Sequence, residues 1–190
     1  MNKKRWIIFG VIAAVVIIIA GMFIGNYNSL VNKETDIDEA KANIQTLLQK
    51  RSDKIPNLVN TVKGYTQYDS ETFKAVTEAR TAVSKAQTVP ELEQADTELS
   101  RALNVWVNAV SEAYPDLKAN TSFIALMDEI SSIENEIQYS RKGYNEKAAK
   151  YNKAIRRFPG NIFASMYGFE KVELFSASAD AQNVPNVSFE

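Results

Sequence analysis

Between Trp6 and Ile24 the chain carries no charged residue, and isoleucine, valine, alanine and phenylalanine dominate the run. Nineteen helical residues rise roughly 28 Å, close to the ~30 Å hydrocarbon core of a bilayer. A buried core helix does not start at an extreme N-terminus behind a Lys3-Lys4-Arg5 cluster. A cleaved signal peptide has a shorter apolar core and a small-x-small cleavage site, which "AGMFIGNYN" supplies poorly. The expectation is a retained signal anchor over residues 6–24, preceded by a cytoplasmic stub of residues 1–5. Three basic residues precede the run, whereas the next 15 residues after Ile24 offer only Lys33. By the positive-inside rule the N-terminus is cytoplasmic and the rest of the chain extracytoplasmic in a single-pass bacterial cell-membrane protein.

Everything acidic follows that run. The remainder holds 19 basic residues (22 less the three before the run) against 23 acidic ones, a balance of −4. This is not the basic footprint of a nucleic-acid binder. Cysteine and histidine are both absent, which removes thiolate nucleophiles, imidazole acid-base chemistry and most zinc sites. No Ser-Lys dyad has a recognisable frame, and Gly is too scarce for a phosphate loop. No catalytic residue, cofactor or metal site is therefore expected.

The domain reads as all-α, an antiparallel up-down bundle of four long helices over residues 26–175. The first helix, about Tyr27 to Tyr65, places Leu30, Ile37, Ile44, Leu48, Ile55, Leu58 and Val62 on one three-four ladder. That ladder keeps its phase across Pro56, which predicts one kinked helix continuous with the membrane span. Breaking the pattern at "QYDS", 67–70, gives way to a second helix, about Glu71 to Ala86. "TVPE" then starts a third, with Thr88 as cap and Glu91 closing a capping box. Its predicted inward residues are Leu92, Ala95, Leu99, Ala102, Leu103, Trp106 and Val110, and "AYPDLKANTS" is read as a loop.

A fourth helix is expected from Thr121 or Ser122 to Phe158, stopped by Pro159-Gly160. Its ladder includes Ile130, Glu134, Ile137, Arg141, Tyr144, Ala148, Tyr151, Ile155 and Phe158. Tyr144-Asn145 and Tyr151-Asn152 repeat at a heptad. The tyrosines are expected to fill the seam with hydroxyls at a wetter edge, and the asparagines to bond across a helix–helix contact. The closing residues, 176–190, are small and polar and read as a flexible tail.

"RSDKIPNLVNTVKGY", "EAR", "AYPDLKAN" and "FIALMDEISSIENEIQYSRKGYNEKAAKYNKAIRRFPGNIFA" together resemble the LemA family, bacterial single-span membrane proteins with a helical bundle. The resemblance implies no enzymatic activity, an envelope-stress or membrane quality-control scaffold, and a membrane protein partner, with a metalloprotease as one candidate. A homo-oligomer stays open. Lys54 departs from the family's commoner apolar residue in "R-x-D-x-I-P-N-L-V".

Arg51, Glu134 and Arg141 occupy seam positions where an unpaired charge costs several kcal/mol, so Arg51 and Glu134 are predicted to form an interhelical ion pair. Asp53 and Asn57 flank Pro56 and are expected to satisfy carbonyls that the proline frees. In the aromatic segment after helix four, Arg156, Arg157, Phe158, Phe163 and Tyr167 either meet the membrane surface or cap the lower end of the bundle. Two functions of different class fit these features. One is an anchored interaction scaffold. The other is an extracytoplasmic bundle that binds a small ligand between its helices, disfavoured because five residues before the span leave no cytoplasmic output domain.

Overall fold

The computed structural model describes residues 3–63 and 71–176, with side chains from Trp6 onward. Its elements are α1 (Lys3–Lys63), α2 (Glu71–Lys85), α3 (Val89–Ala113), a 3-10 turn (Pro115–Ala119), α4 (Thr121–Arg156) and α5 (Gly160–Tyr167). They form two compact units, the chain up to Glu39 with Glu146–Val172, and Ala40–Asn145 with the chain from Glu173. The predicted break at 67–70, the end of helix one at Tyr65 and the tail beyond Ser176 lie outside the described residues.

Helix α1 is a single run of 61 residues, so the apolar stretch and the first bundle helix are continuous. Every residue from Trp6 to Gly25 is exposed. Its most apolar 18-residue window has a mean hydropathy of 3.1, enough to cross a membrane.

In the second unit α1, α2, α3 and α4 form the antiparallel bundle. Asn43 donates to Ser140 (3.2 Å) and Lys54 pairs with Glu129 (2.6 Å), so numbers rise on α1 as they fall on α4. Lys63 lies over the Phe73 ring, 5.6 Å from its centroid, and Arg80 reaches Asp53 at 3.9 Å, which sets α2 antiparallel to α1. Phe73 in turn faces Trp106 of α3 at 6.5 Å. Only α1 and α4 are long; α2 has 15 residues and α3 has 25. Ile44, Leu48, Leu58, Val76, Leu92, Leu99, Ile133 and Ile137 are at most 1% exposed and form the core, each contributing roughly 1.5–3 kcal/mol by burial.

Local chemistry sets the ends. Thr88 Oγ1 accepts from the Glu91 amide, and Glu91 Oε2 accepts from the amides of Thr88 and Gln87, completing the predicted box. Those amides hold the Glu91 carboxyl below its ordinary range, Thr88 most strongly. Within the expected loop, Pro115–Ala119 winds one 3-10 turn around the fully buried Leu117. Asn120 then caps α4 by accepting from the Phe123 amide at 2.9 Å.

Within the first unit, Lys147 of α4 donates to the Asp36 carbonyl of α1 at 3.1 Å. Helix α4 ends at Arg156, two residues short of its predicted last rung, and Phe158 is 80% exposed instead of lying in the seam. Pro159 is the reason: it offers no N–H to Ile155 and drives the residue before it out of helical geometry. The chain turns immediately into α5, a helix inside the aromatic segment that follows helix four. This corner requires Gly160, because a Cβ there would sit 2.2 Å from the Ala154 carbonyl oxygen. Gly168, at φ 76°, ends α5 in the left-handed region, where its amide and that of Phe169 bond to Ala164.

Candidate functional site

The polar centre of the second unit is Asp96, a residue the sequence reading did not select. Its carboxylate is 2% exposed on α3. Oδ1 accepts from Arg51 Nη1 of α1 at 2.8 Å, and Oδ2 accepts from Arg141 Nη2 of α4 at 2.6 Å. Arg51 Nη1 also donates to Ser100 Oγ at 2.9 Å. Glu134 Oε2 approaches the same nitrogen at 2.5 Å without an aligned hydrogen bond. The predicted Arg51–Glu134 pair is therefore present, but the glutamate side chain is 29% exposed and the buried counter-ion is Asp96. Arg141 joins the network and lays its guanidinium 5.0 Å from the Phe175 ring centroid.

Burial pushes the Asp96 carboxyl above its ordinary range. Arg141 and Arg51 pull against that push, and the charge of Glu134 adds to it. Each carboxylate oxygen is held by the guanidinium of a different helix, so the cluster ties α1, α3 and α4 in register. A polar groove of about 330 Å³ opens beside it, lined by Asp96, Ser100, Asn104, Glu134, Gln138 and Arg141. The Nε atoms of Arg51 and Arg141 are buried and have no hydrogen-bond partner among the described residues. Asp96 was legible in principle. Positions 92, 96, 99, 103, 106 and 110 step by four and three, but the reading chose the apolar Ala95 for that rung.

Asp53 and Asn57 do not repair the proline as expected. Helix α1 continues through Pro56. Asp53 accepts from Gln49 instead, since a carboxylate has no proton to offer a carbonyl. Asn57 is exposed, and among the described residues no side-chain bond of its own reaches a freed carbonyl.

The heptad asparagines also act differently from the reading. Asn145 and Asn152 do not bridge helices; each clasps one residue of the extended segment after α5. Asn152 donates to the Val172 carbonyl at 2.8 Å and accepts from its amide at 3.0 Å. Asn145 does the same with Phe175 at 2.8 and 2.9 Å. Seven residues of helix rise about 10.5 Å and three extended residues span about 10 Å, so a heptad suits residues three apart. Tyr144 donates to the Glu173 carbonyl at 3.0 Å and stacks edge-on with Phe175. The Tyr151 hydroxyl reaches no wetter edge; it is fully buried and has no hydrogen-bond partner among the described residues. Burial, with Glu34, Asp38 and Glu170 nearby, pushes its pKa up to about 12.

Of the aromatic-segment candidates, Arg156, Arg157, Phe158 and Tyr167 are exposed. Phe163 is not a surface residue. At 3% exposed it packs edge-on against Phe23 of the apolar run, with ring centroids 4.7 Å apart. Tyr167 lies 4.8 Å from the Tyr27 ring.

Comparison with known families places this arrangement. The LemA family model matches residues 40–189. The chain belongs to the LemA family. Protein LemA of Metamycoplasma hominis is 29% identical over 161 residues, covering 83% of this chain and 72% of that protein. Magnetosome protein MamQ 2 of Paramagnetospirillum magneticum is 25% identical over 175 residues, covering 78% of this chain and 64% of the relative. Magnetosome protein MamQ of Magnetospirillum gryphiswaldense is 23% identical with the same coverage. The chain thus spans just under two thirds of the length of these magnetosome relatives.

Proposed function

We propose that this LemA-family chain is a non-enzymatic membrane-anchored interaction module: α1 holds it in the bilayer, and the bundle presents a surface to a membrane protein partner. The observation that carries this is the uninterrupted helix from Lys3 to Lys63, whose wholly exposed apolar stretch needs lipid to cover it and whose remainder supplies the first bundle helix. Relatives named for LemA in one organism and for magnetosomes in others share the helical region, which supports a scaffold common to different settings. The basic cluster before the span supports a bundle outside the cytoplasm by the positive-inside rule. A membrane metalloprotease in envelope quality control is one partner class that the family resemblance brings.

The alternative, a ligand-binding bundle, is favoured by the polar groove beside Asp96 and Arg141 and by their neighbouring unpartnered Nε atoms. Crosslinking in cells, mild-detergent purification and mass spectrometry separate the two. The proposal expects a reproducible integral-membrane partner that is lost when bundle surface residues are changed. A lone chain carrying a small molecule, released by Arg141→Met, overturns it in favour of ligand binding.

A further inference from the structure

The corner between α4 and α5 turns apolar side chains outward. Phe158 is 80% exposed, Ile162 48% and Met166 52%. Ile162 and Met166 are four apart and share one face of α5, and Phe158 precedes them at the same interval. A contiguous apolar face of this kind is a liability in water. Arg156 and Arg157 stand exposed immediately before it.

The contacts of α5 with α1 fix where this face lies. Phe163 meets Phe23 and Tyr167 meets Tyr27. Residues four apart meet residues four apart in the same order, so α5 runs parallel to α1 with its start toward the apolar run. Phe23 belongs to that run, which ends at Ile24, and Tyr27 follows just beyond it. The paired rings of Tyr27 and Tyr167 have the amphipathic character of side chains that sit at headgroup level. Lys147 meets Asp36 further along α1, so α4 descends toward the same level before it turns.

We infer that the α4–α5 corner is a second membrane contact, in which Phe158, Ile162 and Met166 enter the interface where α1 leaves the hydrocarbon and Arg156 and Arg157 take anionic lipid headgroups. This rests on residues 6–24 being a membrane span. The two roles that the sequence left open for the aromatic segment fall on opposite faces of one helix. Phe163 is packing and holds α5 to the span. Ile162 and Met166, on the other side, face lipid. Helix α5 is short, so the contact depends on the anchor beside it to hold the corner at the right depth.

Since the chain has no cysteine, single spin labels can be placed on the full-length protein without a background. Ile162→Cys and Met166→Cys are compared with Ile17→Cys in the span and Tyr139→Cys, 80% exposed, in the other unit. Each is reconstituted in vesicles of phosphatidylcholine with or without phosphatidylglycerol. Accessibility to oxygen and to a water-soluble nickel chelate then gives depth. The expected result is a deep label at 17, an aqueous one at 139, and intermediate labels at 162 and 166, about 5–10 Å below the headgroups. Combining Arg156→Glu with Arg157→Glu should make the intermediate labels shallower in phosphatidylglycerol vesicles only. Aqueous values at 162 and 166 beside a deep label at 17 overturn the inference while leaving the anchor intact. Shielding from both reagents at 162 and 166 overturns it in favour of a protein contact. An aqueous label at 17 overturns the anchor itself, and an equal arginine effect in both lipids overturns the headgroup assignment. Ile162→Trp, quenched by brominated lipid, gives the same depth reading where a cysteine variant misfolds.

Discussion

Replacing Asp96 with asparagine keeps the shape of the side chain and removes its charge, leaving Arg51 and Arg141 without a buried counter-ion. Their side chains are only 5% and 9% exposed, so neither can rehydrate without opening the bundle. Of the two charge-assisted hydrogen bonds of 2.8 and 2.6 Å, one is lost because the amide nitrogen turns a donor toward that guanidinium, and the other ends on a neutral carbonyl oxygen. Breaking a buried pair in this way costs roughly 3–5 kcal/mol. The triple change Arg51→Met, Asp96→Leu, Arg141→Met removes the charges together with their desolvation penalty, the term that already pushes the Asp96 carboxyl up. It should fall within about 1 kcal/mol of wild type or exceed it. Glu134→Gln should cost about 1 kcal/mol or less, because that carboxylate is partly solvated. Trp106 is 3% exposed on α3, so in a Trp6→Phe background its emission reports unfolding of this unit in urea, on detergent-solubilised full chain. If the triple variant loses as much as Asp96→Asn, the network contributes net stability and the reasoning fails.

Asn152→Ala removes both bonds to Val172 and should speed hydrogen exchange at the Val172 amide by at least about tenfold, while exchange at core amides such as Leu99 stays slow. Tyr151→Phe should be neutral or slightly stabilising at pH 7, since it deletes a buried hydroxyl without a partner. The folded-state pKa of Tyr151 is raised to about 12, so its contribution is complete below pH ~10 and is lost as pH rises toward 12. The phenylalanine variant should escape roughly 2–3 kcal/mol of that alkaline loss, and parallel denaturation curves for the two proteins across that window would contradict this. Gly160→Ala drives a Cβ onto the Ala154 carbonyl and should destabilise the α4–α5 corner by roughly 1–3 kcal/mol; unchanged protease resistance around residues 157–160 would count against it.

The sequence by itself determined the elements. An uncharged run of span length, three-four ladders that persist through Pro56, and a Thr88–Glu91 box are local or periodic signals, and they set the type of the four bundle helices and the start of α3 without reference to neighbours. Seam charges at Arg51, Glu134 and Arg141 were visible for the same reason, because a charge on an apolar ladder must be compensated. Which partner compensates them was decided only in three dimensions. Asp96 shares its rung with Ala95, and periodicity alone cannot say which of two adjacent residues turns inward when a third helix arrives. The asparagine heptad likewise fits either a helix partner or an extended strand, and the return of residues 169–176 along α4 settled it. Phe163 and Ile162 are adjacent and both apolar, so their composition is the same for lipid or for core. The packing of α5 on Phe23 buried one and left the other facing outward, since a helix placed against another element buries only one of its faces.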